Sequence, residues 1–199
     1  MIQRTIEWLL SLAGILFLLP VFAAIAFSVK VCDGGPVLYL SKRIGKSGRL
    51  FDIYKFRTMV TNADSVGGKV TVSGDPRVTP VGRLLRRYKL DELPQLLNVL
   101  KGDMSLVGPR PEDPRYIIYY TQEQRKLLRS RPGITSPASV HYRNEETLLR
   151  GRDWEQDYTQ YILPHKLNME LQYLPRRTMW TDMAIVLKTL RGKRNETGV

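Results

Sequence analysis

Positions 8–29 form a run of 22 consecutive residues without a charged side chain. As a straight helix this run would measure about 33 Å, which is long enough to cross the hydrocarbon core of a bilayer. The core helix of a soluble domain rarely needs so long an apolar run. The sequence therefore predicts a segment that enters a membrane.

Three interpretations of this segment remain. A cleaved signal peptide has support from the small residues at 24–26, but the leader offers only Arg4 against Glu7 where a basic region is expected. A spanning helix agrees with the basic excess after Lys30. Pro20 allows a re-entrant hairpin, because proline kinks a helix. Physical reasoning alone ranks the spanning helix first, since membrane helices often tolerate proline.

The residue composition limits both the possible partners of the chain and the groups that could catalyse a reaction. Lys and Arg total 31 against 19 Asp and Glu, a formal net charge of +12, which predicts a polyanionic partner such as nucleic acid, anionic lipid or a phosphorylated small molecule. The single cysteine, Cys32, excludes an internal disulfide and a four-thiolate zinc site. His141 and His165 lack metal-ligand spacing. Any catalysis must therefore depend on carboxylates and cations.

Beyond residue 30 the patterns predict a mixed domain. Strand signals at 37–40 and 50–59 indicate a β-hairpin, and Gly, Pro and polar residues at 61–80 indicate a long loop. Helical periodicity follows at 81–89, 91–101, 121–129 and 178–190. We expect the amphipathic last helix to pack on a core rather than to lie on a membrane surface. The chain is thus predicted to be α+β, with a membrane-embedded helix at 1–30 and a cytosolic catalytic domain at 31–199.

Asp91 and Glu92 are the candidate catalytic pair. Viewed alone, two acidic residues at a helix start usually cap it. Their neighbours favour a function, because cations at 86, 87 and 89 precede the pair and a stiff turn at 105–112 holds Arg110. We expect these cations to keep a carboxylate ionised and, with a divalent metal, to neutralise a diphosphate. A carboxylate can then act as a nucleophile. The pattern alone does not separate phosphoryl transfer from a solvated ion cluster.

Three ordered motifs resemble the bacterial sugar transferases, and more narrowly the small monotopic polyprenyl-phosphate phosphoglycosyltransferases. The motifs are YKFRTM at 54–59, KLDELPQLLNVLKGDMSLVGPRP at 89–111 and RPGIT at 131–135. The similarity extends from the apolar N-terminus to about residue 190. The length resembles the minimal catalytic unit of the family, without the extra membrane helices of longer relatives.

The resemblance implies an activity. In this family the Asp of the dyad attacks the β-phosphate of a UDP-sugar, releases UMP and forms a covalent aspartyl-phosphosugar, which then passes to polyprenyl (undecaprenyl) phosphate. By this resemblance Asp91 is the nucleophile and a Mg²⁺ ligand, and Glu92 assists the second half-reaction as a base or by positioning. Lys55, Arg86 and Arg110 are implied to bind phosphate. The reaction is the first membrane step of glycoconjugate assembly.

The family also implies a location and a membrane topology. Its members lie on the cytoplasmic face of the bacterial inner membrane, embedded in membrane lipids by a re-entrant helix that is kinked at a proline, here Pro20. They form one monotopic α+β domain with a small β-hairpin and several amphipathic helices, and no nucleic acid is an expected partner.

Two departures from the family pattern are visible, and two alternatives remain. Leu19 replaces the serine that commonly precedes the proline, and residues 136–144 differ from those of better-known members, which bears on sugar choice.

One alternative is a membrane-tethered basic nucleic-acid-binding protein, which would explain the charge of +12. The other is a non-catalytic scaffold of a glycan assembly complex, in which the dyad is only a helix cap.

Overall fold

A computed structural model describes residues 2–63, 74–145, 148–149 and 154–192. The α-helices are α1 (Ile2–Asp33), α2 (Pro80–Tyr88), α3 (Gln95–Lys101), α4 (Pro137–His141), α5 (Trp154–Asp157), α6 (Leu163–Tyr173) and α7 (Met179–Arg191). The strands are β1 (Leu38–Ile44), β2 (Leu50–Phe56), β3 (Ser105–Val107) and β4 (Gly133–Thr135). The predicted α+β class is confirmed.

The predicted β-hairpin is present. Strands β1 and β2 pair antiparallel, with Leu38 opposite Phe56 and Ile44 opposite Leu50. The outer edge of β2 is closed by Asn98 of α3, whose Nδ2 donates to the Asp52 carbonyl at 2.7 Å and whose Oδ1 accepts from the Tyr54 amide at 3.0 Å. Asn98 is fully buried. Helix α3 is therefore joined to the strand through a side chain that substitutes for a third strand.

A second pairing, which the sequence did not predict, joins two of the motifs. Strands β3 and β4 are parallel, with Ser105 opposite Gly133 and Val107 opposite Thr135. A Cβ atom at Gly133 would lie 2.1 Å from the amide nitrogen of Gly108, so only glycine allows the two chains to approach this closely. The pairing fixes the turn that carries Arg110 against the RPGIT segment.

Helix α1 runs continuously through Pro20 and lies along the domain. It is long and apolar enough to cross a membrane by length and composition. Near its start Arg4 donates to the Met104 carbonyl at 2.9 Å, and at its end Asp33 forms an ion pair with Arg57. Both ends of α1 thus contact the same domain, while apolar side chains such as Phe17 are exposed.

Several element boundaries differ from the sequence prediction. The predicted helix at 121–129 is a 3₁₀-helix at Gln124–Arg129, although its expected capping box is present, with Thr121 and Gln124 exchanging backbone-to-side-chain hydrogen bonds. The predicted loop at 61–80 lies partly outside the described residues. From residue 74 onward it is irregular except for a bridge between Met59 and Val78, and α2 begins at Pro80.

The prediction that the C-terminal helix packs its apolar face on a core is wrong. Helix α7 begins at Met179, directly after Thr178, the residue at which it was predicted to begin. The residues that this helix buries are Asp182 and Ile185. Asp182 is held by Arg177 and by the Tyr173 hydroxyl, so this buried face is partly polar. The apolar residues face outward and form what we call the α7 apolar face, which consists of Met179, Trp180, Met183, Leu187 and Leu190.

Helices α5 and α6 are joined by a π-helical turn at Tyr158–Ile162. Pro164 explains this turn, because proline cannot donate the backbone hydrogen bond that would continue a regular α-helix. Farther along α6, Glu170 is buried against the start of α4, where its Oε1 accepts from the Ala138 amide at 3.2 Å. Burial raises the pKa of Glu170 to about 7, against smaller lowering effects from that amide, from Ser136 and from Lys166.

Replacement of Asn98 by alanine should destabilise the fold. The change leaves the Asp52 carbonyl and the Tyr54 amide unpaired at a buried edge, and each such group costs about 1–3 kcal/mol. We expect Asn98→Ala to lower the free energy of unfolding by about 3 kcal/mol, measured by denaturant titration in detergent micelles. Asn168→Ala, on the exposed face of α6, is the control. Equal effects of the two variants would contradict the proposed bracing of β2 by Asn98.

The raised pKa of Glu170 should make stability depend on pH. The folded chain keeps a proton that the unfolded chain releases above its ordinary pKa of 4.5, so the free energy of unfolding falls as pH rises from about 4.5 to 7. The full difference is about 3 kcal/mol. Glu170→Gln removes this dependence, and its stability relative to the wild type should increase between pH 5 and pH 8. A pH-independent difference between the two proteins would contradict the assignment.

Candidate active site

The catalytic candidates lie in a tight break between two helices. Helix α2 ends at Lys89, which adopts a left-handed conformation with φ of 57°. A single 3₁₀ turn, Leu90–Glu92, follows, and the Glu92 amide donates to the Lys89 carbonyl. Helix α3 begins only at Gln95, after Pro94. The break turns the chain so that the dyad projects from a short turn between α2 and α3.

The predicted single helix at 91–101 is therefore wrong in its first part. Proline at position 94 has no amide to donate, which favours a new helix start at this point. In the described structure α3 has no acidic residue in its first turn and no side-chain cap. Asp91 and Glu92 therefore do not cap this helix, and the carboxylate of Glu92 binds other side chains instead.

Glu92 is the centre of an ion triad that joins three chain segments. Its Oε1 lies 3.1 Å from Lys55 Nζ of β2 and 2.6 Å from Arg110 Nη2, while its Oε2 accepts from Arg110 Nη1 at 3.3 Å. Burial alone would raise the pKa of Glu92, but the attraction of Arg110 and Lys55 outweighs burial and holds this pKa well below its usual range. Glu92 is therefore an ionised carboxylate with both oxygens engaged.

Asp91 is in a different environment. It is buried, and its Oδ1 has no hydrogen-bond partner within the part of the chain that the structure describes. Burial raises the pKa of Asp91, and the neighbouring Glu92 carboxylate adds to this effect, against the opposing attraction of Lys55. The sequence predicted that cations would dominate here. Instead they pair with Glu92, and burial dominates at Asp91.

The two other cations contribute to the same site. Arg86, in the last turn of α2, donates its Nε to the hydroxyl of Thr58 at 2.8 Å. Burial lowers the pKa of Lys55, and Glu92 opposes this change. The structure thus brings all five predicted residues to the wall of one cavity of about 750 Å³: Lys55, Arg86, Asp91, Glu92 and Arg110. This volume is typical of ligand pockets.

The donor set fits Mg²⁺ better than a transition metal. No group of three or more His, Cys, Asp or Glu side chains that could enclose a metal occurs among the described residues. Asp91 lines a cavity rich in cations, and its buried Oδ1 has no hydrogen-bond partner among the described residues. Mg²⁺ commonly binds through one or two carboxylates together with water and substrate phosphates. Asp91 is the residue that would hold such an ion here.

The lining of the cavity also includes a polar network that sequence reasoning missed. The Tyr158 hydroxyl donates to Glu112 Oε2 at 2.8 Å, and Lys166 Nζ donates to both oxygens of Glu145 at 3.1 Å. Lys166 also donates to the Tyr158 hydroxyl at 3.3 Å. These residues are far apart in the sequence, so no local pattern could group them. The divergent stretch 136–144 also lines this cavity, through Ala138, Ser139, Tyr142 and Arg143.

Comparisons with known proteins identify the family of this chain. The chain matches the sequence model of the family described as "Bacterial sugar transferase" over residues 1–194. The UDP-N-acetylgalactosamine-undecaprenyl-phosphate N-acetylgalactosaminephosphotransferase of Aeromonas hydrophila is 37% identical over 195 residues, which cover 96% of this chain and 43% of that protein. The undecaprenyl-phosphate galactose phosphotransferase of Salmonella typhimurium is 35% identical over 205 residues, which cover 96% of this chain and 40% of that protein.

A shorter relative matches over most of its own length. The exopolysaccharide production protein ExoY of Rhizobium meliloti is 34% identical over 205 residues, which cover 96% of this chain and 84% of that protein. By contrast, the chain spans about two fifths of the length of the Aeromonas and Salmonella proteins. The matched region contains the whole cavity described above, and its extent over residues 1–194 shows that the chain belongs to the bacterial sugar transferase family.

Proposed function

We propose that this chain transfers a sugar 1-phosphate from a UDP-sugar to polyprenyl phosphate, with release of UMP. The observation that carries the proposal is Asp91, which lines a cavity together with Lys55, Arg86 and Arg110 and whose buried Oδ1 has no hydrogen-bond partner among the described residues. Both substrates are phosphate anions, which such a cavity attracts. The Aeromonas and Salmonella relatives are named as undecaprenyl-phosphate sugar phosphotransferases.

In the first step Asp91 acts as the nucleophile. Its carboxylate oxygen attacks the β-phosphorus of the UDP-sugar, and a new oxygen–phosphorus bond forms. The bond between that phosphorus and the oxygen bridging to the α-phosphate breaks, and UMP leaves with the bridging oxygen and the electron pair. The sugar 1-phosphate stays on Asp91 as an acyl phosphate. An unpaired, poorly solvated carboxylate suits this role because no protein hydrogen bond has to break before the attack.

In the second step polyprenyl phosphate is the nucleophile. One of its phosphate oxygens attacks the phosphorus of the intermediate, the bond to Asp91 breaks, and the carboxylate is regenerated. Glu92 supports this step by position rather than as a base. A general base works best when its pKa is near the operating pH, whereas attraction to Arg110 and Lys55 holds the pKa of Glu92 well below its usual range. Glu92 instead orients these two cations.

A divalent ion fits this scheme. Mg²⁺ bound through Asp91 would neutralise diphosphate charge when present. The protein's own residues perform the remaining tasks, since Arg110 and Lys55 are held in one orientation by Glu92 and Arg86 by Thr58. These groups bind the phosphates and orient the β-phosphorus toward Asp91.

Attachment to one face of the bacterial inner membrane, on the cytoplasmic side, is part of the proposal. Both ends of α1 contact the same domain, through Arg4 at the start and Asp33 at the end. A helix that spans the bilayer would place its ends on opposite sides, so these contacts support a re-entrant, monotopic arrangement. The α7 apolar face, with basic residues near both ends of its helix, supports contact with an anionic lipid surface.

The covalent intermediate gives a direct test. Purified protein incubated with a UDP-sugar and Mg²⁺, without lipid acceptor, should gain the mass of one sugar phosphate and release one UMP per chain. Asp91→Asn should form no adduct and lose more than about 10³-fold in turnover, because an amide is a poor nucleophile. Asp52→Asn, which removes an exposed carboxylate paired with Lys42, should behave as the wild type.

The same experiment separates the alternatives. Wild-type turnover by Asp91→Asn would contradict the mechanism. No UMP release by the wild type with any UDP-sugar, combined with steeply salt-dependent DNA binding, would favour the nucleic-acid-binding alternative. An inert Asp91→Ala change that leaves complex formation intact would favour the scaffold. Neither Asp91 nor Glu92 caps α3 in the described structure, so in a scaffold the dyad would have a structural role other than the expected cap.

Removal of divalent metal should abolish adduct formation. We expect chelation with EDTA to prevent the gain of mass on Asp91, and added Mg²⁺ to restore it, because the diphosphate charge must be neutralised before an anionic carboxylate can approach. Thermal unfolding measured in parallel serves as the control, since no metal-enclosing cluster occurs in the described structure and chelation should leave Tm unchanged. Adduct formation in EDTA at the Mg²⁺ rate would contradict the metal requirement.

A further inference from the structure

Thr58 links the strand β2 to the last turn of α2. Its hydroxyl accepts a hydrogen bond from Arg86 Nε at 2.8 Å, and Thr58 is 6% exposed. This is the only hydrogen bond of the Arg86 guanidinium to any residue that the structure describes. A guanidinium is planar, with its five N–H groups in a fixed fork. Fixing Nε therefore sets the direction of both terminal NH₂ groups.

The backbone of Thr58 is itself held by α2. Its carbonyl accepts from the Thr79 amide at 3.0 Å and from the Thr79 hydroxyl at 3.3 Å. Thr79 is the N-cap of α2 and accepts from the Gly82 amide at 2.9 Å. A Cβ atom at Gly82 would lie 2.0 Å from the Thr58 carbonyl oxygen, so glycine is needed at this position. Residues 79, 82 and 86 thus meet Thr58 along one face of α2.

We propose that Thr58 is a positioning residue, which orients Arg86 so that its two terminal NH₂ groups face the phosphates of the donor. This inference rests on the proposed function. Thr58 lines the same cavity, and its hydroxyl accepts from Arg86 while keeping an O–H donor, so the double-mutant cycle below separates action through Arg86 from direct contact with substrate. Without the hydroxyl, Arg86 would keep its charge but sample other rotamers. Binding of the donor phosphates would then have to order the Arg86 side chain, and the loss of conformational entropy would weaken that binding.

Replacement of Thr58 by valine tests the proposal, because valine has the same shape without the hydroxyl. We expect kcat/KM for UMP release to fall about tenfold, the size expected for one hydrogen bond to a charged group. Thr58→Ser, which keeps the hydroxyl, should retain activity within about twofold of the wild type. Thr159→Val is the matched control, since within the described residues Thr159 bonds only to the helix carbonyls of Glu155 and Gln156 and is not among those that line the cavity.

A double-mutant cycle with Arg86 separates positioning from a general structural effect. If Thr58 acts through Arg86, then Thr58→Val should cost less than about twofold when Arg86 is already alanine. An equal cost in both backgrounds would overturn the inference. Tm is measured for every variant, and Thr58→Ala replaces Thr58→Val in the cycle if the added methyl prevents folding.

The controls distinguish this inference from the proposed function. A wild type that releases no UMP would contradict the proposed function and, with it, any positioning role in the reaction. An active wild type in which Thr58→Ser is as impaired as Thr58→Val would overturn only the role of the Thr58 hydroxyl.

Discussion

The geometry of the site depends on one carboxylate that is shared by two cations. Glu92 binds Lys55 from the hairpin and Arg110 from the turn after β3, so three segments that are distant in the sequence meet at one side chain. Two partly buried cations would repel each other without this anion. The ion triad therefore explains how a cavity can present positive charge to a phosphate and still be stable when no phosphate is bound. Asn98 acts on the same strand, since its side chain holds the backbone of β2 at Asp52 and Tyr54, just before Lys55.

Adjacent carboxylates in this site have opposite electrostatic environments. The pKa of Glu92 is lowered because its two oxygens are paired with cations, whereas the pKa of Asp91 is raised by burial. Such a separation commonly marks a division of roles between two residues of the same chemistry. Here Glu92 has the properties of a structural anion and Asp91 those of a reactive group. The positions of Asp91 and Glu92 in the sequence do not predict this difference, because the same basic residues at 86, 87 and 89 precede both.

Local sequence patterns predicted much of the fold. The motifs predicted the five residues that line the cavity together. Hydrophobic periodicity, turn residues and helix-capping residues are features of a few neighbouring positions. They were sufficient to predict the hairpin, α2 and α7. The break between Asp91 and α3 was missed because the apolar spacing continues through it, and only the backbone at Lys89 and Pro94 ends the helix. The outward α7 apolar face was missed because periodicity identifies a face without saying what covers it. The Tyr158–Lys166 network and the Thr58–Arg86 bond depend on tertiary contacts, which one sequence does not specify.

The left-handed residue Lys89 has a consequence for how such a chain can vary in evolution. Arg86 and the dyad are separated by a turn whose geometry depends on residue count, and one inserted residue would rotate everything after it by about 100° around the axis of α2. Asp91 would then leave the cavity while Arg86 stayed. Exposed side chains on α2, such as Arg83 and Arg87, have no comparable restriction. Lineages that diverge in this segment should therefore accept substitutions at its exposed positions, whereas insertions and deletions should be eliminated by selection.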